Sequence, residues 1–173
     1  MSELIVYAVD VESIGLHGDS FAVGVSVRDK SGEVDHLRYA VGRGSVFGDE
    51  RDRAWVDANV PEIPITHEHS YSMRIKFWAH WESWRKRGAI MVADCGWPVE
   101  ANFLSRAIRE NAPYNNLHST APYPLHDLAT LLLARGLDPL ATYPRLPEEL
   151  PKHDPLADAR QTARLFWEHI YGS

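Results

Sequence analysis

The sequence predicts a single α/β domain, in which a mixed sheet of about five strands begins with an antiparallel hairpin and is flanked by helices. Two patterns predict this class. Within residues 4–42, an apolar run rich in β-branched residues is followed by an alternating segment and, after a short turn, by a third segment, which is typical of consecutive strands. Further along the chain, segments with helical spacing of apolar residues alternate with short apolar runs, which is typical of strands joined by helical crossovers.

Three strands are expected at the start of the chain. The run LIVYAVDVE, from residue 4, is uninterrupted and ends in acids, which indicates a strand buried on both faces. The segments SFAVGVSVRD at 20–29 and EVDHLRYAVG at 33–42 are separated by a short turn, so we expect them to pair as a hairpin. Residues 42–68 are polar and interrupted by Gly and Pro, which predicts a variable loop or insertion with room for a short helix at 50–59.

The rest of the chain alternates between helical and strand patterns. Caps and breakers give the boundaries, since Ser favours a helix N-cap, Pro the first helical position and Gly the position after the end. The expected elements are a helix from Ser70 to Gly88, a strand ending at Asp94, a helix from Pro98, a short strand and a helix ending at Gly136, and a helix from about Pro155 to Ile170.

The bulk composition limits the class of protein. The 173 residues are 45% apolar and 24% charged, which predicts one globular domain over 1–173. No stretch is long and apolar enough for a membrane span, and the acidic start does not resemble a secretory signal. The single Cys95 suits a reducing cytoplasm. The net charge of −6 opposes binding to nucleic acid, unless some of the acids hold divalent cations.

Acidic side chains stand at the ends of the two most apolar predicted strands. Asp10 and Glu12 end the first strand, where residues two apart point to the same face. Asp94 ends the fourth and would come near Asp10 if the two strands are neighbours. Carboxylates held together repel one another unless a cation lies between them, and Mg²⁺ or Mn²⁺ prefers such oxygen ligands. Taken singly, acids at these positions are more often solvated or turn-forming residues than metal ligands.

A histidine and a carboxylate stand close together near the end of the chain. His153 precedes Asp158 by five residues, and Asp158 lies in the first turn of the last predicted helix. This spacing lets Asp158 reach a metal from the helix while His153 lies over the same site. A neutral histidine there can accept a proton from water. Glu100, near the start of an earlier helix, is a further acid, although such a residue alone usually caps its helix.

Taken together, VDVESIGLHGDSFAVGVSV, VADCGWPVEANFL and HDPLADARQTARLF resemble, in order, the three motifs of the DEDDh 3′–5′ exonucleases of the ribonuclease H-like superfamily. That family includes polymerase proofreading exonucleases, oligoribonuclease and ribonuclease T. The resemblance covers nearly the whole chain, with Pro155 in place of a usual alanine. The second motif departs from the family pattern. Its spacing to Phe-Leu makes Glu100 the counterpart of the usual aspartate, whereas residue type makes it Asp94, which we place slightly ahead.

The resemblance implies a ribonuclease H-like sheet and a two-metal exonuclease. Such an enzyme would release nucleoside 5′-monophosphates from the 3′ end of single-stranded nucleic acid, with RNA slightly favoured over DNA. His153 would be the general base. The ligands of two divalent ions, Mg²⁺ or Mn²⁺, would be Asp10, Glu12, Asp158 and either Asp94 or Glu100. The residues implied for the 3′-terminal nucleotide are Ser13, Ile14 and Leu16, with Trp97 as a candidate for stacking on a base.

Other functions stay open at this point. The main alternative is a catalytically inactive ribonuclease H-like module that binds nucleic acid or acts as a scaffold. The presence of every acid and of the histidine favours the enzyme. A nuclease for another phosphodiester, such as a dinucleotide, is a further alternative. Small members of the family often pair, so a homodimer is also an expectation.

Overall fold

The computed structural model describes residues 4–111 and 121–172, and within them one mixed sheet carries helices on both faces. The strands are β1 (Val6–Ser13), β2 (Ser20–Asp29), β3 (Gly32–Ala40), β4 (Ile90–Ala93) and β5 (His126–Asp127). The helices are α1 (Glu50–Asn59), α2 (Ser70–Arg85), α3 (Ala101–Asn111), α4 (Leu128–Ala134) and α5 (Pro155–Phe166). None of the helices in the described ranges combines the length and hydrophobicity that a membrane crossing requires.

The sheet has the order β3-β2-β1-β4-β5. The pairs β1–β2 and β2–β3 are antiparallel, whereas β1–β4 and β4–β5 are parallel. The mixed sheet and its leading hairpin are therefore as predicted. Val9 of β1 lies opposite Ala93, the last residue of β4. Because these two strands are parallel, their carboxyl ends meet, and β1 continues past the end of β4.

Two apolar cores lie on opposite faces of the sheet. On one face, alternate residues of β1 such as Tyr7 and Val9 belong to the core that contains Phe77 of α2 and Phe103 of α3. The core on the other face is made by Val6 and Ala8 of β1, with Leu128 and Leu132 of α4 and Ala163 and Phe166 of α5. Asp10 and Glu12 continue the second series, since side chains alternate along a strand. The acids of β1 therefore face α5.

Wider turns extend two of the helices. Residues Pro98–Glu100 lead into α3 with helical backbone angles, as a wider turn, because Trp97 (φ −129°, ψ 138°) is the residue of Gly96–Glu100 that lies outside the helical region. A residue before proline is pushed towards the extended region, so the helical residues begin at Pro98, as predicted. The last helix is regular only to Phe166, and a wider turn over Trp167–Tyr171 continues it.

The first turn of α5 is fixed against the sheet at Gly24. An ideal Cβ at this position would lie 2.1 Å from the carbonyl carbon of Pro155, so only glycine permits the approach. Asp154 caps the helix by accepting hydrogen bonds from the backbone N–H of Leu156 and Ala157, and it forms an ion pair with Arg38 at 2.5 Å. Gly24 lies opposite Asp10 in the β1–β2 register. The same contact therefore brings the start of α5 alongside Asp10.

We expect Gly24→Ala to lower the free energy of unfolding by about 1–3 kcal/mol, because the added methyl group must displace backbone atoms of α5. Urea unfolding followed by circular dichroism measures the change. Gly44→Ala is the matched control, since a Cβ there meets no atom within 4 Å. An unfolding midpoint for Gly24→Ala equal to that of the control would contradict the close packing of α5 on β2.

Candidate active site

Carboxylates from three parts of the chain meet at the carboxyl end of β1. Asp10 and Glu12 come from β1, Glu100 from the turn before α3, and Asp158 from the first turn of α5. Burial raises the pKa of Asp10 well above its usual value, and the charges of Asp158, Glu12, Glu100 and, least, Asp94 raise it further. The structure therefore brings Asp10, Glu12 and Asp158, which the sequence proposes for one site, close enough to act on one another's charge, with Glu100 among them.

Glu12 and Glu100 share this electrostatic environment. Burial raises the pKa of Glu12 to about 8, with further contributions from Asp158 and Glu100. Burial also raises the pKa of Glu100 to about 7, although a hydrogen bond from the backbone N–H of Val11 opposes the rise. Glu100 is therefore bound to β1 beyond the last residue of β4, next to the acids that β1 carries.

The oxygen atoms of this cluster fit a divalent cation. Oδ2 of Asp10 is shielded from solvent, and no described residue donates a hydrogen bond to it. A buried, unpaired carboxylate oxygen among other carboxylates is costly unless a positive charge compensates it. Hard cations such as Mg²⁺ and Mn²⁺ bind ligands of this type. Among the described residues, Glu12, His153 and Asp158 also offer three ligand atoms that lie within 4.8 Å of one another.

His153 lies over the cluster on the loop before α5. Its backbone is in the left-handed region (φ 62°), and its N–H donates a hydrogen bond to Oδ2 of Asp158 at 3.0 Å. Its Nδ1 is 3.8 Å from Oε1 of Glu12, and its ring lies edge-on to Trp55 with the centroids 5.6 Å apart. The side chain is 42% exposed, so the imidazole is open to water while its backbone is bound to the cluster.

Arg145 also contacts the cluster. Its Nη1 lies 2.5 Å from Oδ1 of Asp158 and donates a second hydrogen bond to the carbonyl oxygen of Glu149. Both partners of the ion pair are largely buried, with 14% and 16% of their side chains exposed. Sequence reasoning did not find Arg145, because it lies in a proline-rich segment without periodicity. Tertiary packing alone brings Arg145 next to Asp158.

Asp94 lies at the margin of the cluster. It follows β4 and is exposed as a residue, yet partial burial of its carboxyl group, and then the charge of Asp158, raise its pKa. Glu100 is only 8% exposed. Asp94 lines a polar cavity of about 270 Å³ together with Arg145 and Lys152. The two candidates for the second-motif acid therefore differ in their surroundings, with Glu100 inside the cluster and Asp94 beside it.

A cleft of about 310 Å³ adjoins the cluster on the side of His153. Its walls include Glu12, Ser13, Leu16, Trp55, Val99 and His153. Leu16 and Trp55 present apolar surface to solvent, with 62% and 53% exposed. Ile14, which the sequence also offered for the terminal nucleotide, is fully buried and is not part of this wall. Sequence reasoning predicted a short helix at 50–59 but did not single out Trp55, because an exposed tryptophan in a variable loop has no periodic signal.

Trp97 lies on the turn between Asp94 and Glu100 and is 72% exposed. It is not part of the wall of the cleft beside His153. A tryptophan next to a buried strand usually joins the core, but the extended backbone at this position turns the ring towards solvent. Its surface is therefore available to a ligand outside the cleft.

We expect the metal-free protein to lose stability as the pH rises from about 5 to about 8, and Glu12→Gln to reduce that loss. The folded-state pKa of Glu12, about 8, exceeds the ordinary value of 4.5, so the folded state binds the proton more tightly. The stability that the bound proton of Glu12 contributes is thus complete below about pH 4.5 and is lost as the pH rises towards about 8. Urea unfolding in EDTA at several pH values measures the difference between variant and wild type.

Glu62→Gln, at an exposed glutamate outside the cluster, is the control for this pH series. Its free energy of unfolding should follow that of the wild type at every pH. If the free energy of unfolding of Glu12→Gln also follows that of the wild type at every pH, the raised pKa of the buried Glu12 carboxyl group is contradicted.

Comparison with known proteins gives a likeness of fold. No protein-family model matches the chain, and no curated protein matches its sequence. A product-bound structure of exonuclease I, at 1.5 Å resolution, is similar over 98% of this chain, with a TM-score of 0.62 and 11% sequence identity. The chain spans 44% of the length of that exonuclease I chain. The chain therefore has the α/β, ribonuclease H-like fold with a mixed five-stranded sheet that the sequence predicts.

Proposed function

We propose that this chain is a metal-dependent 3′–5′ exonuclease. It hydrolyses phosphodiester bonds at the 3′ end of single-stranded nucleic acid, RNA ahead of DNA, and releases nucleoside 5′-monophosphates. The observation that carries the proposal is the convergence of Asp10, Glu12, Glu100 and Asp158 below His153 at the end of β1. The likeness of the fold to that of exonuclease I supports it.

The carboxylates would hold two divalent cations, Mg²⁺ or Mn²⁺. Asp10 is central, because none of the described residues donates a hydrogen bond to its shielded Oδ2 and because each of the other acids acts on its pKa. Glu12, Asp158 and the second-motif acid would complete the ligands. Cations bound there supply Lewis-acid stabilisation of the negative charge that develops on the phosphoryl oxygens during hydrolysis.

His153 is the proton acceptor of the proposed reaction. Its ring borders the cleft and is partly open to water, so an attacking water molecule can reach it. The carboxylate of Glu12, 3.8 Å from Nδ1, stabilises the imidazolium that forms when the ring accepts a proton. The hydrogen bond from the His153 backbone to Asp158 keeps the ring close to the cluster while the charge changes.

The cleft beside His153 takes the 3′-terminal nucleotide. Its volume of about 310 Å³ is at the lower end for small-ligand sites, which suits one nucleotide rather than a continuous strand. Leu16 and Trp55 offer apolar and aromatic surface to the base, while Ser13, next to Glu12 in the chain, lies nearer the acids. Trp97, outside the cleft, would contact the strand that leads into the site.

The test is degradation of 5′-labelled single-stranded RNA and DNA of the same sequence, with Mg²⁺ or Mn²⁺ and with EDTA. We expect products that shorten one nucleotide at a time from the 3′ end, release of mononucleotides, and no reaction in EDTA. His153→Ala should lower the rate by about 10²–10⁴-fold, which is the usual contribution of a general base. His69→Ala, at an exposed histidine, is the matched control.

Two results would contradict the proposal. Absence of product with every metal and both substrates, despite measurable binding of the oligonucleotides, would favour an inactive nucleic-acid-binding module. Internal cleavage without release of mononucleotides would exclude an exonuclease.

A second test addresses the second-motif acid. The sequence placed Asp94 slightly ahead, but Glu100 is buried and raises the pKa of both Asp10 and Glu12, so we now propose Glu100. We expect Glu100→Gln to weaken Mn²⁺ binding by about tenfold or more, and Asp94→Asn to weaken it less. Isothermal titration calorimetry measures both variants under the same conditions. The opposite order of affinities would return the role to Asp94.

A further inference from the structure

Arg145 holds a position at the candidate metal centre that the proposed reaction does not use. Its guanidinium forms a charge-assisted hydrogen bond with Oδ1 of Asp158, at 2.5 Å. Oδ2 of the same carboxylate accepts the backbone N–H of His153. Both oxygens of Asp158 are therefore bound by donors of the protein itself.

This ion pair opposes the binding of a cation by Asp158. The ligand oxygens of Glu12 and Asp158 lie within 4.8 Å of each other, so a divalent ion between them would be close to the Arg145 guanidinium, which is bound to the same Asp158 carboxylate. The ion and the guanidinium would repel each other strongly, because the site is largely buried. Arg145 is thus an internal counter-charge for Asp158, and a divalent cation must compete with it.

In the cavity beside the cluster, Arg145 can bind an anion other than Asp158. Arg145 already lines this cavity of about 270 Å³, together with Lys152, Tyr143, Gln161 and Asp94. Lys152 is exposed, and no ion pair or hydrogen bond joins it to another described residue. An arginine and a lysine on one polar wall fit a phosphate group, to which a guanidinium can donate two parallel hydrogen bonds. A phosphate bound there would draw Arg145 away from Asp158.

We propose that Arg145 exchanges between Asp158 in the free protein and a phosphate group of the bound nucleotide, in the cavity that it shares with Lys152. A phosphate that takes Arg145 frees Asp158 for a divalent cation, and a cation on Asp158 frees Arg145 for phosphate. Such coupling is reciprocal, since each ligand raises the affinity for the other by the same factor. This inference rests on the proposed function, because it uses the metal centre assigned there.

The test measures Mn²⁺ binding by calorimetry, with and without saturating adenosine 5′-monophosphate. We expect Arg145→Gln to bind Mn²⁺ alone about tenfold more tightly than the wild type, within the usual range of coupling between sites. The gain in Mn²⁺ affinity that the nucleotide produces should shrink by a similar factor. Arg145→Lys, which keeps the charge, should stay close to the wild type.

Two further variants separate the parts of the proposal. Lys152→Gln removes a cavity cation that does not touch Asp158, so it should weaken nucleotide binding without tightening Mn²⁺ alone. Arg51→Gln makes the same charge change at an exposed position on α1 and should alter neither affinity. If Arg51→Gln tightens Mn²⁺ binding as much as Arg145→Gln does, the effect comes from the net charge of the protein, and the proposal is overturned.

The outcomes distinguish this inference from the proposed function. If Asp10→Asn binds Mn²⁺ as the wild type does, the ion is bound elsewhere and the proposed function fails. If Asp10→Asn loses Mn²⁺ while Arg145→Gln keeps the wild-type affinity, only the role of Arg145 fails. Should Arg145→Gln not fold, nuclear magnetic resonance of ¹⁵N-labelled arginine side chains in the wild type decides. The Arg145 signal, assigned with Arg145→Lys, must shift on addition of Mg²⁺, and an unchanged signal overturns the proposal.

Discussion

Repulsion among the carboxylates at the end of β1 is the constraint on which the arrangement of this protein depends. Burial and mutual charge raise the pKa values of Asp10, Glu12 and Glu100 together, so the folded chain holds these groups at a cost. The packing of α5 on Gly24 and the two cores on either side of the sheet supply the stability that offsets it. Within the described residues, the ion pair between Arg145 and Asp158 is a direct compensation of this charge.

Most of the fold follows from local patterns in the sequence. The strands β1, β2 and β4 are largely apolar segments bounded by turn residues, β3 follows β2 after a short turn, and α1 has the bounds 50–59 that its composition suggested. Pro98 marks the first helical residue before α3, but the wider turn over Gly96–Glu100 has no signal in the sequence. The strand β5 has only two residues, and its pairing with β4 depends on where α4 packs. Such details are set by tertiary contacts, which local propensity does not contain.

Short-range spacing in the sequence accounts for part of the candidate site. Asp10 and Glu12 share a strand face, and His153 and Asp158 share a helix start, so each pair is encoded locally. The parallel pairing of β1 and β4 then joins distant segments. Trp55 and Arg145 belong to irregular or variable segments, where no repeat of apolar residues indicates which side chain will face the acids. Our proposal of Glu100 over Asp94 rests on burial, which neither residue type nor spacing provides.

The centre joins residues from β1, near the amino end of the described chain, to residues of α5, about 150 positions later. During translation, β1 leaves the ribosome long before α5 does, and domains generally fold as units. A nascent chain therefore cannot form the complete candidate site until residues 153–166 have emerged from the ribosome.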